Sequence, residues 1–227
     1  MAQASFASPE TEAPETTTVS TYVDPTPAAS SSDIEIPRLQ VVQKMSELDF
    51  DAPVGSIVHN KDTVLYRAGA KAPAVILYVQ KYWKEDVPFD SDEMPQFAHT
   101  QDEANAIIAN NGPDGYKVIT AANIAVLVAQ TEDAEDGSDE AFPFELDGRR
   151  YGIGKFTVQK KSYDTTFKAI ATFGMFNPKI DPSSIHWNLT SFQVTKGKYS
   201  WYVPSLSPLT KEPVGPEVID FIARLKG

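Results

Sequence analysis

The chain has 227 residues, with 20 Lys plus Arg against 31 Asp plus Glu, 41% hydrophobic residues and no cysteine. That composition excludes a disulfide scaffold and thiolate metal sites, and its apolar fraction suffices for one domain of ordinary size or two small ones. The longest apolar runs, Ala74–Val79 and Ile124–Ala129, fall far short of the roughly 20 residues of a membrane-spanning helix, and the N-terminus has neither a positive n-region nor an apolar h-region. The expectation is a soluble, intracellular protein with no membrane partner.

Residues 1–35 contain no Lys or Arg and are dominated by Ala, Ser, Thr, Pro and Glu. Such a composition does not offset the entropy cost of ordering, so it predicts a disordered acidic tail ahead of a single domain over residues 36–227. Leu39–Gln43, Ser56–Asn60, Thr63–Tyr66 and Ala74–Trp83 read as strands, with a tight turn at Asn60, Lys61 and Asp62. Thr100 followed by Glu103 forms a capping box, Ala104, Ile107 and Ile108 recur at helical spacing, and Asn111 with Gly112 supplies the stop, which predicts a helix over about 100–110.

Tyr116–Gln130 returns to strand character, and Phe142–Leu146 with Arg150–Gln159 flank an Asp147, Gly148 turn of hairpin type. Thr131–Glu140, dense in carboxylates, reads as a solvated loop. Ser162–Phe176 carries Tyr163, Phe167, Ile170 and Phe173 at helical spacing, weakened by Thr165, Thr166 and Thr172; a helix is favoured. Trp187–Val194 and Tyr199–Val203 form a second hairpin around Lys196, Gly197 and Lys198, and Pro216 opens a closing amphipathic helix through Leu225. The fold class expected is mainly β, a β-rich α+β chain forming an OB-like Greek-key barrel with one or two inserted helices and a C-terminal helix.

Charge is distributed unevenly. Arg38 to Gly148 holds eight basic and twenty acidic side chains, whereas Arg149 to Thr210 holds nine basic and two acidic ones and eleven of the 24 aromatic residues. Interleaved cations and rings suit single-stranded nucleic acid: Lys and Arg neutralise phosphates and release counterions, while flat rings accept unstacked bases at about 1–3 kcal/mol each. On this reading Arg149, Arg150, Lys155, Lys160, Lys161, Lys196 and Lys198 contact phosphates, and Tyr151, Phe156, Trp187, Tyr199 and Trp201 are stacking candidates. In the second hairpin, Tyr199 and Trp201 point to one face and Tyr202 to the other, so only one of these faces is free to stack bases if the other meets the core.

The strings IPRLQVVQ (36–43), PVGSIVHN (53–60), KYWKE (81–85), KKSYDTTFK (160–168) and YSWYVPSL (199–206) together resemble phage-encoded single-stranded DNA-binding proteins of the OB-fold type, over about residues 36–210. The resemblance implies a Greek-key β-barrel elaborated by helices that coats single strands during phage DNA replication or recombination, in the host cytoplasm. Two acidic segments suit competition with DNA or recruitment of replication or recombination proteins: the tail, and the loop ending Asp139, Glu140, Ala141, Phe142, Pro143, Phe144, which is similar to the protein-recruiting tips of bacterial single-strand binders but internal. The chain departs from that family in closing with a helix and Lys226 in place of an acidic tail.

Enzymatic chemistry finds little purchase. His59, His99 and His186 lack neighbours at ligand spacing, and Gly152, Ile153, Gly154, Lys155 lacks the spacing and following helix of a phosphate loop, reading better as a flexible or bulged strand whose backbone approaches something closely. The carboxylates fall in hydrophilic runs, unlike a magnesium-dependent nuclease site. No cofactor is expected, and the rival reading is a virion structural or assembly protein built on a β-rich domain.

Overall fold

A computed structural model describes residues 35–46, 48, 50–88 and 90–226, which belong to one unit that begins at Glu35. Apart from Glu35, the expected acidic tail lies outside the described residues. The chain is mainly β: a strongly curled antiparallel half-barrel sheet with a few helices, in agreement with the OB-like expectation. Its strands are β1 (Leu39–Val41), β2 (Ile57–His59), β3 (Thr63–Tyr66), β4 (Ala72–Glu85), β5 (Phe97–Ala98), β6 (Val118–Ala129), β7 (Phe144–Leu146), β8 (Arg149–Gln159), β9 (Ile185–Lys196) and β10 (Tyr199–Pro213). The helices are α1 (Gln101–Asn111), α2 (Lys160–Thr165), α3 (Phe167–Phe176) and α4 (Pro216–Lys226).

The large sheet runs β10-β9-β4-β6-β8-β7, with β5 beside β4, while β1, β2 and β3 form a small separate sheet. After β8 the chain crosses through α2 and α3 and returns beside β4. The resulting order β9-β4-β6-β8 is a Greek-key connection.

Both sides of the sheet are buried along part of its length. On the inner side, Ala74, Ile76, Ile124, Val126, Phe156, Trp187 and Leu189 pack with the β1–β3 sheet and with Tyr163, Ile170 and Phe173 of α2 and α3. On the outer side, Val75, Leu77, Leu127 and Tyr151 lie under Val218, Phe221, Ile222 and Leu225 of α4. This two-sided burial explains the unbroken apolar run Ile124–Ala129, whose odd residues serve the outer core and even residues the inner one.

The second core needs α4 in place, and among the described residues no side chain next to α4 in sequence caps it. Asp147, in the β7–β8 turn, does so from a distance: the Glu217 and Val218 N–H groups donate to its two carboxylate oxygens at 3.3 and 3.2 Å, and Glu217 accepts from the Asp147 N–H. Asp147 and Gly148 both have positive φ, as the hairpin turn requires. At α1 the capping box forms as expected, and N–H donation from His99 and Thr100 holds the Glu103 carboxyl below its ordinary range. Ile108, expected on the buried face, stays exposed.

The expected helix over Ser162–Phe176 breaks at Thr166, where φ is −122° and ψ −76°. Thr166 donates to Ser162 O at 2.6 Å and Thr165 to Pro204 O at 2.7 Å. Hydroxyls bonding to backbone carbonyls thus interrupt the helix while pinning it to β10. β10 in turn runs ten residues past the expected Val203, through Pro204 and Pro208. Proline is tolerated there because β10 is the edge of the sheet and those positions need no ladder donor on the open side.

The Gly152, Gly154 pair also finds its reason. β8 keeps unbroken register with β6, so the strand is not bulged. A Cβ at Gly152 would lie 2.2 Å from the Ala141 carbonyl oxygen, and one at Gly154 2.4 Å from Leu39. Gly152→Ala forces backbone against backbone and is expected to cost about 1–3 kcal/mol, seen as a melting temperature lowered by roughly 2–12 °C in a scanning thermal melt. An unchanged melting temperature would contradict this packing.

Candidate nucleic-acid interface

The residues expected to bind nucleic acid divide into three groups. The first is buried. Trp187 is 0% exposed, its Nε1–H donating to Pro182 O at 2.8 Å and its ring meeting Phe173 edge-on at 5.3 Å. Tyr151 and Phe156 are 1% and 3% exposed on opposite sides of β8, one in each core. Tyr151 shares a hydrogen bond with His186, and burial raises its phenol pKa. The stacking roles expected of Tyr151, Phe156 and Trp187 are therefore corrected: a sheet covered on both sides consumes these rings as packing, and no base reaches them.

The second group is cationic but dispersed. Arg149 and Lys160 sit at the two ends of β8, roughly 35 Å apart along the strand. Arg149 shares a shallow cleft with Asp147, His186 and Glu212. Arg150 is occupied with Asp139 at 3.2 Å and with the Phe142 and Asp139 carbonyls, while Lys160 pairs with Asp86 at 2.7 Å. Lys161 is exposed beside it on α2. A single trough joining Arg149, Arg150, Lys160 and Lys161 to the later rings does not form, because the strand that carries them spreads them along its whole length and carboxylates engage two of them. Lys155 stands apart on the outer side of β8.

The acidic loop is also more constrained than a solvated tip. Glu135 holds Arg67 through two hydrogen bonds, and Asp139 holds Arg150. Phe142 is 0% exposed against Tyr66, and Phe144 packs on Phe221 at 4.9 Å. The similarity to a protein-recruiting tip is therefore corrected, since both phenylalanines are spent in the cores.

The third group is brought together. Lys196, Lys198, Tyr199 and Trp201 occupy the distal part of the β9–β10 hairpin, an arm that runs past the start of β4 and over the β1–β3 sheet. Register places Tyr199 opposite Lys196, Trp201 opposite Val194 and Val203 opposite Phe192, so one face of the arm carries these side chains together. Tyr199 is 65% exposed, with Lys198 Nζ 5.3 Å from its ring centroid, and Phe192 is 39% exposed.

The other face of the arm is anchored. Gln43 donates to Tyr202 O at 2.8 Å and accepts from Tyr202 N–H at 3.0 Å, Ser191 bonds to Gly55 O, and the Tyr202 ring lies where a Cβ of Gly55 would be. Gly55, with φ +89°, is the residue that permits this approach. Anchoring on one side leaves the face of Tyr199 and Trp201 as the free one. No Asp or Glu occurs between Asp181 and Glu212, so the arm carries its cations without nearby carboxylates in its own strands.

Phe192 and Val194 complete this face. Sequence reasoning passes over them, although alternation across the Lys196–Lys198 turn marks them. Among the described residues no group of three His, Asp or Glu side chains is placed to hold a metal, and no helix is long and apolar enough to cross a membrane. No protein-family model matches the chain, and comparison with curated proteins and with solved structures gave no match.

Proposed function

We propose that this chain is a non-enzymatic single-stranded DNA-binding protein whose platform is the free face of the β9–β10 arm. The observation that carries the reading is that arm: two lysines, an exposed tyrosine, a half-buried tryptophan and Phe192 on one acid-free ribbon. Rings of this kind take bases without reading them, and the lysines supply the counterion-release term. The acidic remainder of the domain does not oppose this strongly, since its field is screened over about 8 Å at physiological salt. The sequence resemblance supports a place in phage DNA replication or recombination.

The test is a fluorescence titration with oligo-dT at several salt concentrations. Trp201 emission should be quenched on binding, and with two phosphates neutralised the affinity should fall about sevenfold between 50 and 200 mM salt, a log–log slope near −1.4. Absence of binding at 50 mM salt overturns the proposal. An assembly role is favoured by one feature, the exposed Met175 and Phe176 at the end of α3, and predicts large oligomers in solution whose mass does not respond to DNA.

A further inference from the structure

One stretch of the outer sheet face lies beyond the reach of α4. There β6 carries the small side chains Ala121 and Ala125, both covered by their neighbours, with Ala125 at the margin of the core under α4, while longer side chains on β4 and β8 flank them. The flanking side chains of β4 and β8 stand two strand spacings apart, about 9.5 Å. On the β4 side, a β-bulge between Ile76 and Tyr78 sets the register. Leu77 turns into the core beneath α4, and Tyr78, opposite Ala125, is turned outward at 39% exposure. Strict alternation from Val75 would have sent Tyr78 into the inner core, so the bulge re-aims this ring, and with it Gln80 and Lys84, onto the outer face, where Tyr82 shares the same side but is buried. Phe97 of β5, opposite Lys84, adds a ring 55% exposed and packs on Tyr82 at 6.0 Å.

The opposite side is cationic. Lys155 pairs with Ala125, and Arg38 bridges to Lys155 from the strand entering β1, on the same side as Ile36, which packs on the outer core. No outward position of β4, β6 or β8 in this stretch is a carboxylate. Arg38, Lys84 and Lys155 thus frame two exposed rings, with Asn123 and Thr157 between them joined at 3.0 Å. From these observations we infer that this surface is a second platform for single-stranded nucleic acid, taking bases on Tyr78 and Phe97 and phosphates on Arg38, Lys84 and Lys155. The inference rests on the function proposed above. α4 covers the sheet between the two platforms, which lie about 30 Å apart along the strands, so a short oligonucleotide occupies one and a long one spans both.

The experiment uses the full chain with oligo-dT of about 8 and about 24 nucleotides. Lys84→Glu with Lys155→Glu is expected to lower affinity for the long oligonucleotide about tenfold and flatten its salt slope by about 1.4, while binding of the short one through the arm remains within about threefold of wild type. Lys84→Arg with Lys155→Arg should restore the long-oligonucleotide affinity, and Phe97→Ala, at an exposed ring, should reproduce part of the loss with an unchanged melting temperature. Wild-type affinity and slope in the double Glu variant, with wild type itself binding, overturns this platform and leaves the arm standing. Absence of binding by wild type overturns both.

Discussion

Reversing the charge at the tip of the β9–β10 arm, with Lys196→Glu and Lys198→Glu together, is expected to reduce affinity for oligo-dT at least tenfold at 50 mM salt and to flatten the log–log salt slope by about 1.4. Both lysines are exposed at a turn whose Gly197 already has positive φ, so neither substitution touches the core or the hairpin geometry. The matched comparison is Lys160→Glu with Lys161→Glu on α2. Lys160 is held by Asp86 and neither lysine belongs to the strands of the arm, so that variant should bind within about twofold of wild type. Equal losses in the two variants would mean that affinity follows net charge alone and that the arm has no special role.

Truncating Trp187 should act on stability and not on binding. Its ring is fully enclosed between β4, β9 and α3, and Trp187→Ala leaves both a large cavity and an orphaned Pro182 carbonyl, at a cost of about 3–5 kcal/mol. That is a large share of the 5–15 kcal/mol available to an ordinary domain, and for a chain of this size it lowers the melting temperature by roughly 6–20 °C. Trp201→Ala, on the free face of the arm, should shift the melting temperature little while removing most of the oligo-dT-induced quenching. A thermal melt and a titration on the two variants measure this directly, and the opposite pattern would exchange the roles assigned to the two rings.

These two tryptophans show where the sequence is legible. The hairpin turns and the capping box on α1 rest on local chemistry and appear in the structure as expected, and each expected strand is present, though β10 is longer and β5 was not foreseen. Which side of a strand meets solvent is not local. Tyr151 and Phe156 alternate on β8 as a half-exposed strand would, yet α4 covers one side and the β1–β3 sheet covers the other. α4 reaches its place through Asp147, some 70 residues earlier, a partnership that no spacing in the sequence signals.

The arm was legible because its cations, rings and turn are contiguous. The second surface of rings and cations was not. A bulge at Leu77 and Tyr78 shifts the alternation of β4 by one residue, and a strict period-2 reading assigns every later side chain of that strand to the wrong face. Similarly, the strand expected over Tyr199–Val203 runs on through Pro204 and Pro208, which an edge strand accommodates.

Single-strand binding by the arm is most directly tested by equilibrium binding of one labelled oligonucleotide at 50 mM salt, measured as a single strand and again annealed to its complement. Rings on the arm need unstacked bases, so the single strand should bind at least tenfold more tightly than the duplex. Equal affinity for both, or no binding to either, would contradict it.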